Sequence, residues 1–157
     1  RDDWIEKIIV KLPKKFKNLS LVVLDGKFAC LDPYLGSKYH LFSDVKHSKI
    51  EIINSMLPRF LNFKKKLINN KIHNNIKVSN YKKFIDNSKR YLPFITQAKY
   101  IGSFFVTRTI KRNVEKTDER TTEIKKVNSK IYTIFSSKWN GCVTTAEQLK
   151  KKLNEEN

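Results

Sequence analysis

Few residues of this 157-residue chain are of the kinds that commit a protein to a specialised class. The two cysteines, Cys30 and Cys142, stand far apart, with neither the number nor the spacing of a disulfide framework or a zinc site, and so point to a reducing, cytoplasmic setting. Methionine occurs once, at Met56, and the first residue is Arg1, which points to a chain that begins inside a longer protein. Only four glycines are present, and none belongs to a GxGxxG or GxxxxGKS loop. HExxH and paired CxxC are absent too, so the sequence carries no complete catalytic or metal-binding motif. No apolar run approaches the ~20 residues of a membrane span, and Arg1-Asp2-Asp3-Trp4 has no signal-peptide pattern.

Acidic residues are also scarce. There are 15 Asp plus Glu against 33 Lys plus Arg, a net charge of +18. Such an excess invites a nucleic-acid reading, because each cation that neutralises a phosphate releases counterions. The distribution weakens it: residues 1–50 hold 10 basic and 6 acidic residues, 51–100 hold 11 and 2, and 101–157 hold 12 and 7. Of the basic residues 27 are Lys and only 6 Arg, the side chain whose planar fork grips phosphate. The basic middle also carries seven Asn between Asn62 and Asn87, the composition of a solvated face. Nucleic-acid binding by a basic α+β domain is therefore the alternative function.

The apolar fraction of 39%, with 11% aromatics, suffices for a packed core. Trp4–Leu12 reads as a strand stopped by Pro13. Leu19–Leu31 reads as a second strand region broken by Asp25-Gly26, and Tyr39–Val45 as a third after the turn Asp32-Pro33-Tyr34-Leu35-Gly36. From Lys49 to Asn70 apolar residues recur at three-to-four spacing, which predicts an amphipathic helix with Lys64, Lys65 and Lys66 outside and Pro58 kinking it or near its first turn. Ser79 is placed to cap a second helix reaching Arg90, with Tyr81, Phe84 and Ile85 inward. Gln97–Arg112 is the longest β-rich stretch and is expected at the centre of a sheet. Asn113–Lys126 reads as a charged loop, Lys130–Phe135 as a short buried strand, and Thr144 or Thr145 as the cap of a final helix. The expected fold is α+β: a mostly antiparallel mixed sheet with two or three helices packed on it, and a C-terminal strand and helix.

Three segments carry chemical information beyond these elements. Asp25-Gly26-Lys27-Phe28 opens a strand and leads into Asp32-Pro33-Tyr34; alone it is a β-bulge. Thr117-Asp118-Glu119-Arg120-Thr121-Thr122 places an Arg among small hydroxyls after the longest strand, in what is otherwise a solvated loop. Ser136-Ser137-Lys138-Trp139-Asn140-Gly141 joins a strand to a helix, whose free N–H groups attract anions and carbonyl dipoles. His40, His47 and His73 are isolated, and Cys30 reads as a buried inert thiol.

Taken in order, Phe16 with Leu19–Phe28, Asp32–Gly36, His40–Ser48, then Glu115, Asp118, Arg120 and Thr121, and finally Ser136–Trp139, the chain resembles the C-terminal half of FAD-dependent oxidoreductases of the D-amino-acid oxidase superfamily. It departs from that pattern at Thr121, where the family has Pro, and at Ser137, where it has Gly. The resemblance implies a substrate-side sheet domain over residues 1–126 and a strand-turn-helix over 127–157 that completes an FAD domain encoded upstream. It implies that the sheet forms the floor of a substrate cavity over the flavin, and that an amine, amino acid or related small polar substrate is oxidised by hydride transfer to FAD. By position, Ser137, Lys138, Trp139, Asn140 and Gly141 are then the cofactor-binding turn, Arg120 an anchor for a loop or an anionic group, and Tyr34 and His40 candidates for the cavity wall. No catalytic general base is named and no metal site is expected.

Overall fold

The computed structural model describes residues 1–24, 28–55, 59–74, 76–111, 122–135 and 139–155. The architecture is α+β, with a six-stranded antiparallel sheet, a separate two-stranded sheet, and three α-helices, of which the last is C-terminal. The chain divides into two compact units, Arg1–Thr109 and Ile110–Asn157.

The first unit is organised by β1 (Asp2–Lys11), which is buried along nearly its whole length. Its Ile-Ile-Val run suits a strand flanked on both edges. Along one edge runs β6 (Lys99–Thr109), paired from Asp2↔Thr109 to Lys11↔Lys99. Along the other, β4 (His40–Asp44) and β5 (Lys49–Ile53) follow one another: Val10 faces His40, Ile8 faces Phe42, and Asp3 faces Ile52. The jog between them is fixed by buried Asp44, which accepts from the His47 N–H at 2.7 Å and from Asn87 Nδ2 at 2.7 Å. β3 (Ala29–Pro33) pairs with β4, and the two-residue β2 (Leu21–Val22) pairs with β3. β1, rather than the longer β6, is thus the centre of the sheet. Among the described residues the outer edge of β6 meets only the segment 68–73, through bridges at Ile68↔Phe105 and His73↔Ser103. That segment approaches so closely that Gly102 is required: a Cβ there would lie 2.6 Å from Asn74 Oδ1 and from Ile72 Cγ2.

Strand alternation gives the sheet two different faces. Ile8 and Val10 of β1, with Leu31 and Phe42, form the core, which α2 (Tyr81–Ser88) closes by setting Phe84 edge-on to Phe42, ring centroids 5.5 Å apart. Full burial of such a side chain contributes roughly 1.5–3 kcal/mol. As the periodicity predicted, Phe84 is fully buried and Tyr81 and Ile85 pack against the core beside it. The 3-10 turns Lys14–Phe16 and Pro93–Gln97 lie on the same face, with Phe16 stacked on Phe94 at 4.3 Å.

The helix expected over Lys49–Asn70 is not formed. Its first residues are β5, and only the single turn α1 (Asn62–Lys65) is helical, its Lys64 bonded to Glu51 and set over the Trp4 ring. The first half of β1 needs an edge partner, and Ile50 and Ile52 satisfy a two-residue period as well as a helical one. Pro58 and Asp25-Gly26 lie outside the described residues.

In the second unit, β7 (Glu123–Asn128) pairs with β8 (Ile131–Phe135), so Glu123–Lys126 is strand rather than loop. β8 is not the buried strand expected, since Ile131 and Ile134 are about half exposed. A 3-10 turn over Trp139–Gly141 leads into α3 (Cys142–Asn154). The N-cap is Gly141 rather than Thr144 or Thr145, and the Thr145 hydroxyl instead donates to the Gly141 carbonyl at 2.7 Å. No described helix is long and apolar enough to cross a membrane.

Candidate functional site

The face of the large sheet opposite α2 carries the odd-numbered residues of β1: Asp3, Ile5, Lys7 and Ile9. Every helix and 3-10 turn of this unit described above packs on the other side. Apolar side chains make the floor, with Ile5 and Ile9 buried in the centre and Leu41, Phe104 and Val106 half-buried around them. Ile52 and Val22 are about half exposed at its rim.

Polar groups stand within this apolar surface. Lys7 is half-buried and donates from Nζ to Ser43 Oγ on β4 at 2.8 Å. Burial pushes its pKa below that of an ordinary lysine; Cys30 opposes this, Arg108 adds to it, and Asp32 opposes it. Cys30 lies beside it on β3, and burial pushes its thiol pKa up, with Asp32 reinforcing and Lys7 opposing the shift. Asp32 accepts from the Ser20 hydroxyl at 2.6 Å. At one end of the face, fully buried Asp3 takes two guanidinium groups, from Arg1 Nε at 3.1 Å and from Arg108 NH2 at 3.0 Å. Chemically the face offers an apolar floor, convergent donors and a local excess of positive charge.

The residues expected at a site fall in several places. His40 lies on the helix-covered face, paired with Val10 and nearly fully buried. Burial lowers its pKa against the pull of the neighbouring Leu19 backbone, Asp32 and the Phe16 backbone. Tyr34 is exposed, in a turn where its N–H donates to the Tyr39 carbonyl at 2.9 Å. Arg120, Ser137 and Lys138 lie outside the described residues. Trp139, Asn140 and Gly141 form the 3-10 turn before α3, with Asn140 exposed and Gly141 partly so. Among the described residues no side chain caps α3, and its first turn has no acidic residue. Among the described residues no group of three or more His, Cys, Asp or Glu is placed to hold a metal ion.

Sequence reasoning passed over Lys7, Ser43 and Arg108. One signal was available: Lys7 is a lone cation in the apolar run Ile5 to Val10, where strand alternation sets it on the same side as Ile5 and Ile9. Comparison of the chain with protein-family models, with curated proteins and with solved structures found no match.

Proposed function

We propose that this chain is the substrate-side part of a flavin-dependent oxidoreductase, one that oxidises an amine, amino acid or related small polar substrate by hydride transfer to FAD. The observation that carries the reading is the asymmetry of the large sheet, which has helices on one face and, on the other, an apolar floor set with a few polar groups. That is the make-up of one wall of a small-molecule cavity, which a second wall faces. In this reading the wall is an FAD-binding module of the same protein, and the enzyme is cytoplasmic, in keeping with Cys30 and Cys142 being free thiols.

The described part of the turn before α3 fits a cofactor role. Among the described residues Gly141 has no neighbour closer to a notional Cβ than Thr122 Oγ1 at 3.8 Å, and the N–H groups that follow suit a carbonyl or phosphate oxygen. Ser137, Lys138, Trp139, Asn140 and Gly141 would hold FAD there. When bound, the flavin supplies the hydride acceptor. The chain's own task is positional: Leu41, Phe104 and Val106 keep water from one side of the substrate while the polar groups orient it.

The nucleic-acid alternative rests on charge alone. The aromatic residues interleaved with Lys that would stack on bases are committed to packing: Phe84 and Phe105 are fully buried, and Tyr81 lies 4.9 Å from Tyr100.

The test is visible absorption of the product of the whole reading frame that encodes these residues, purified without added cofactor and again after incubation with FAD. Flavin bands that survive gel filtration are expected. A protein that stays colourless under both conditions overturns the proposal.

A further inference from the structure

The hydrogen bonding of Lys7 is incomplete in an informative way. An ammonium group has three N–H donors, and the Ser43 hydroxyl takes one of them at 2.8 Å. No described carboxylate lies within ion-pair distance of Nζ, although the group is half-buried. The two carboxylates on this face have other partners: Asp32 accepts from Ser20, and Asp3 is shared by Arg1 and Arg108. Because Ser43 Oγ accepts from Lys7, its own O–H proton points elsewhere, and no described acceptor takes it. Among the described residues two ammonium protons and one hydroxyl proton are thus left without an acceptor, on neighbouring strands of the face opposite α2. A ligand atom meeting all of them must accept only.

We infer that Lys7 and Ser43 form a binding site for the oxyanion end of a small molecule, a carboxylate or a phosphate, lying against the partly exposed side chains of Leu41, Phe104 and Val106. The neighbouring Arg108 guanidinium adds a favourable field, the Asp32 carboxylate an opposing one, and a half-buried setting strengthens charge-assisted bonds. Lys7 is a point charge whose stem lies on the floor, whereas the Ser43 hydroxyl gives direction. A neutral amide of the same shape offers one acceptor oxygen and no charge, and turns an NH2 group toward donors, so it binds far more weakly. The assignment of this anion to the substrate rests on the flavin reading; the donor set itself does not.

The product of the whole reading frame is titrated with propionate, inorganic phosphate and the neutral isostere propionamide, following its thermal midpoint, with flavin content read from the same samples. Propionate or phosphate is expected to raise the midpoint in a saturable way while propionamide does not, and whichever acts identifies the anion. Lys7→Met should weaken that response at least tenfold, Lys7→Arg should retain part of it, and Ser43→Ala should weaken it several-fold. Should Lys7→Met not fold, Lys7→Arg and Ser43→Ala decide the matter. A midpoint unmoved by either anion, an equal response to propionamide, or an undiminished response in Ser43→Ala and Lys7→Met overturns the site. A colourless protein that still shows the Lys7-dependent response overturns the flavin reading and leaves the site standing, and a yellow one without the response does the reverse.

Discussion

Glu6 on β1 and Asn80 at the start of α2 are 74 positions apart in the chain, yet the Asn80 N–H donates to Glu6 Oε2 at 2.8 Å. The other carboxylate oxygen takes the Ser103 hydroxyl, which is itself 2.8 Å from Tyr100 Oη. A fully buried acid in the sheet therefore serves as the anionic partner of a helix N-terminus, joining β1, β6 and α2 at one point. Glu6→Gln keeps the shape but removes the charge and turns an NH2 group toward the Ser103 hydroxyl, which must then accept rather than donate. It should cost about 1–3 kcal/mol of stability, read from the midpoint of urea unfolding. An unchanged midpoint would show that the contact does not hold α2.

Gly102→Ala tests how tightly the segment after α1 is bound. The added methyl would sit 2.6 Å from Asn74 Oδ1 and 2.8 Å from the His73 carbonyl oxygen, and that backbone is pinned by two hydrogen bonds of 2.9 Å with Ser103. Destabilisation of roughly 1–3 kcal/mol is expected, with faster hydrogen exchange at the His73 and Ser103 amides than elsewhere in β6. Uniform exchange along β6 would place the strain elsewhere.

His40 sets a pH dependence whose sign follows from its lowered pKa. Above about pH 6.5 the imidazole is neutral whether the chain is folded or unfolded. As the pH falls below that value the unfolded chain takes up the proton first, so stability declines until the folded-state pKa is reached and then levels off for this group. His40→Leu, which removes the titrating ring, should flatten that part of the stability profile, measured by unfolding between pH 7.5 and pH 5 (about one and a half units below the free imidazole value). Parallel profiles for variant and parent would rule His40 out as the source.

What could be read from the chain beforehand follows from how locally each signal is determined. Trp4–Leu12 and Tyr39–Val45 became β1 and β4 because alternation and a following turn specify a strand without reference to distant residues. Ile50 to Ile53 fits either period, and the choice was made by the unpaired half of β1, more than forty residues earlier. The same limit governed the site. Alternation says that His40 and Leu41 point to opposite sides, but only the register with Val10 assigns His40 to the helix-covered side, and only the closure of α2 over Phe42 decides which side is covered. Lys7 stood in plain view, yet its want of a carboxylate partner depends on β3 and β4 lying next to it.

The segment from Ile68 to His73 has an effect beyond packing. By taking the Phe105 carbonyl through the Asn69 N–H, and by exchanging both backbone bonds between His73 and Ser103, it leaves the middle of the last long strand without a row of vacant amide groups. The opposite margin is formed by two short strands, β2 of two residues and β5 of five. A chain rich in Ile, Phe and Asn thereby offers little template to a foreign strand at either border, and its association with other polypeptides is steered toward the broad surface instead.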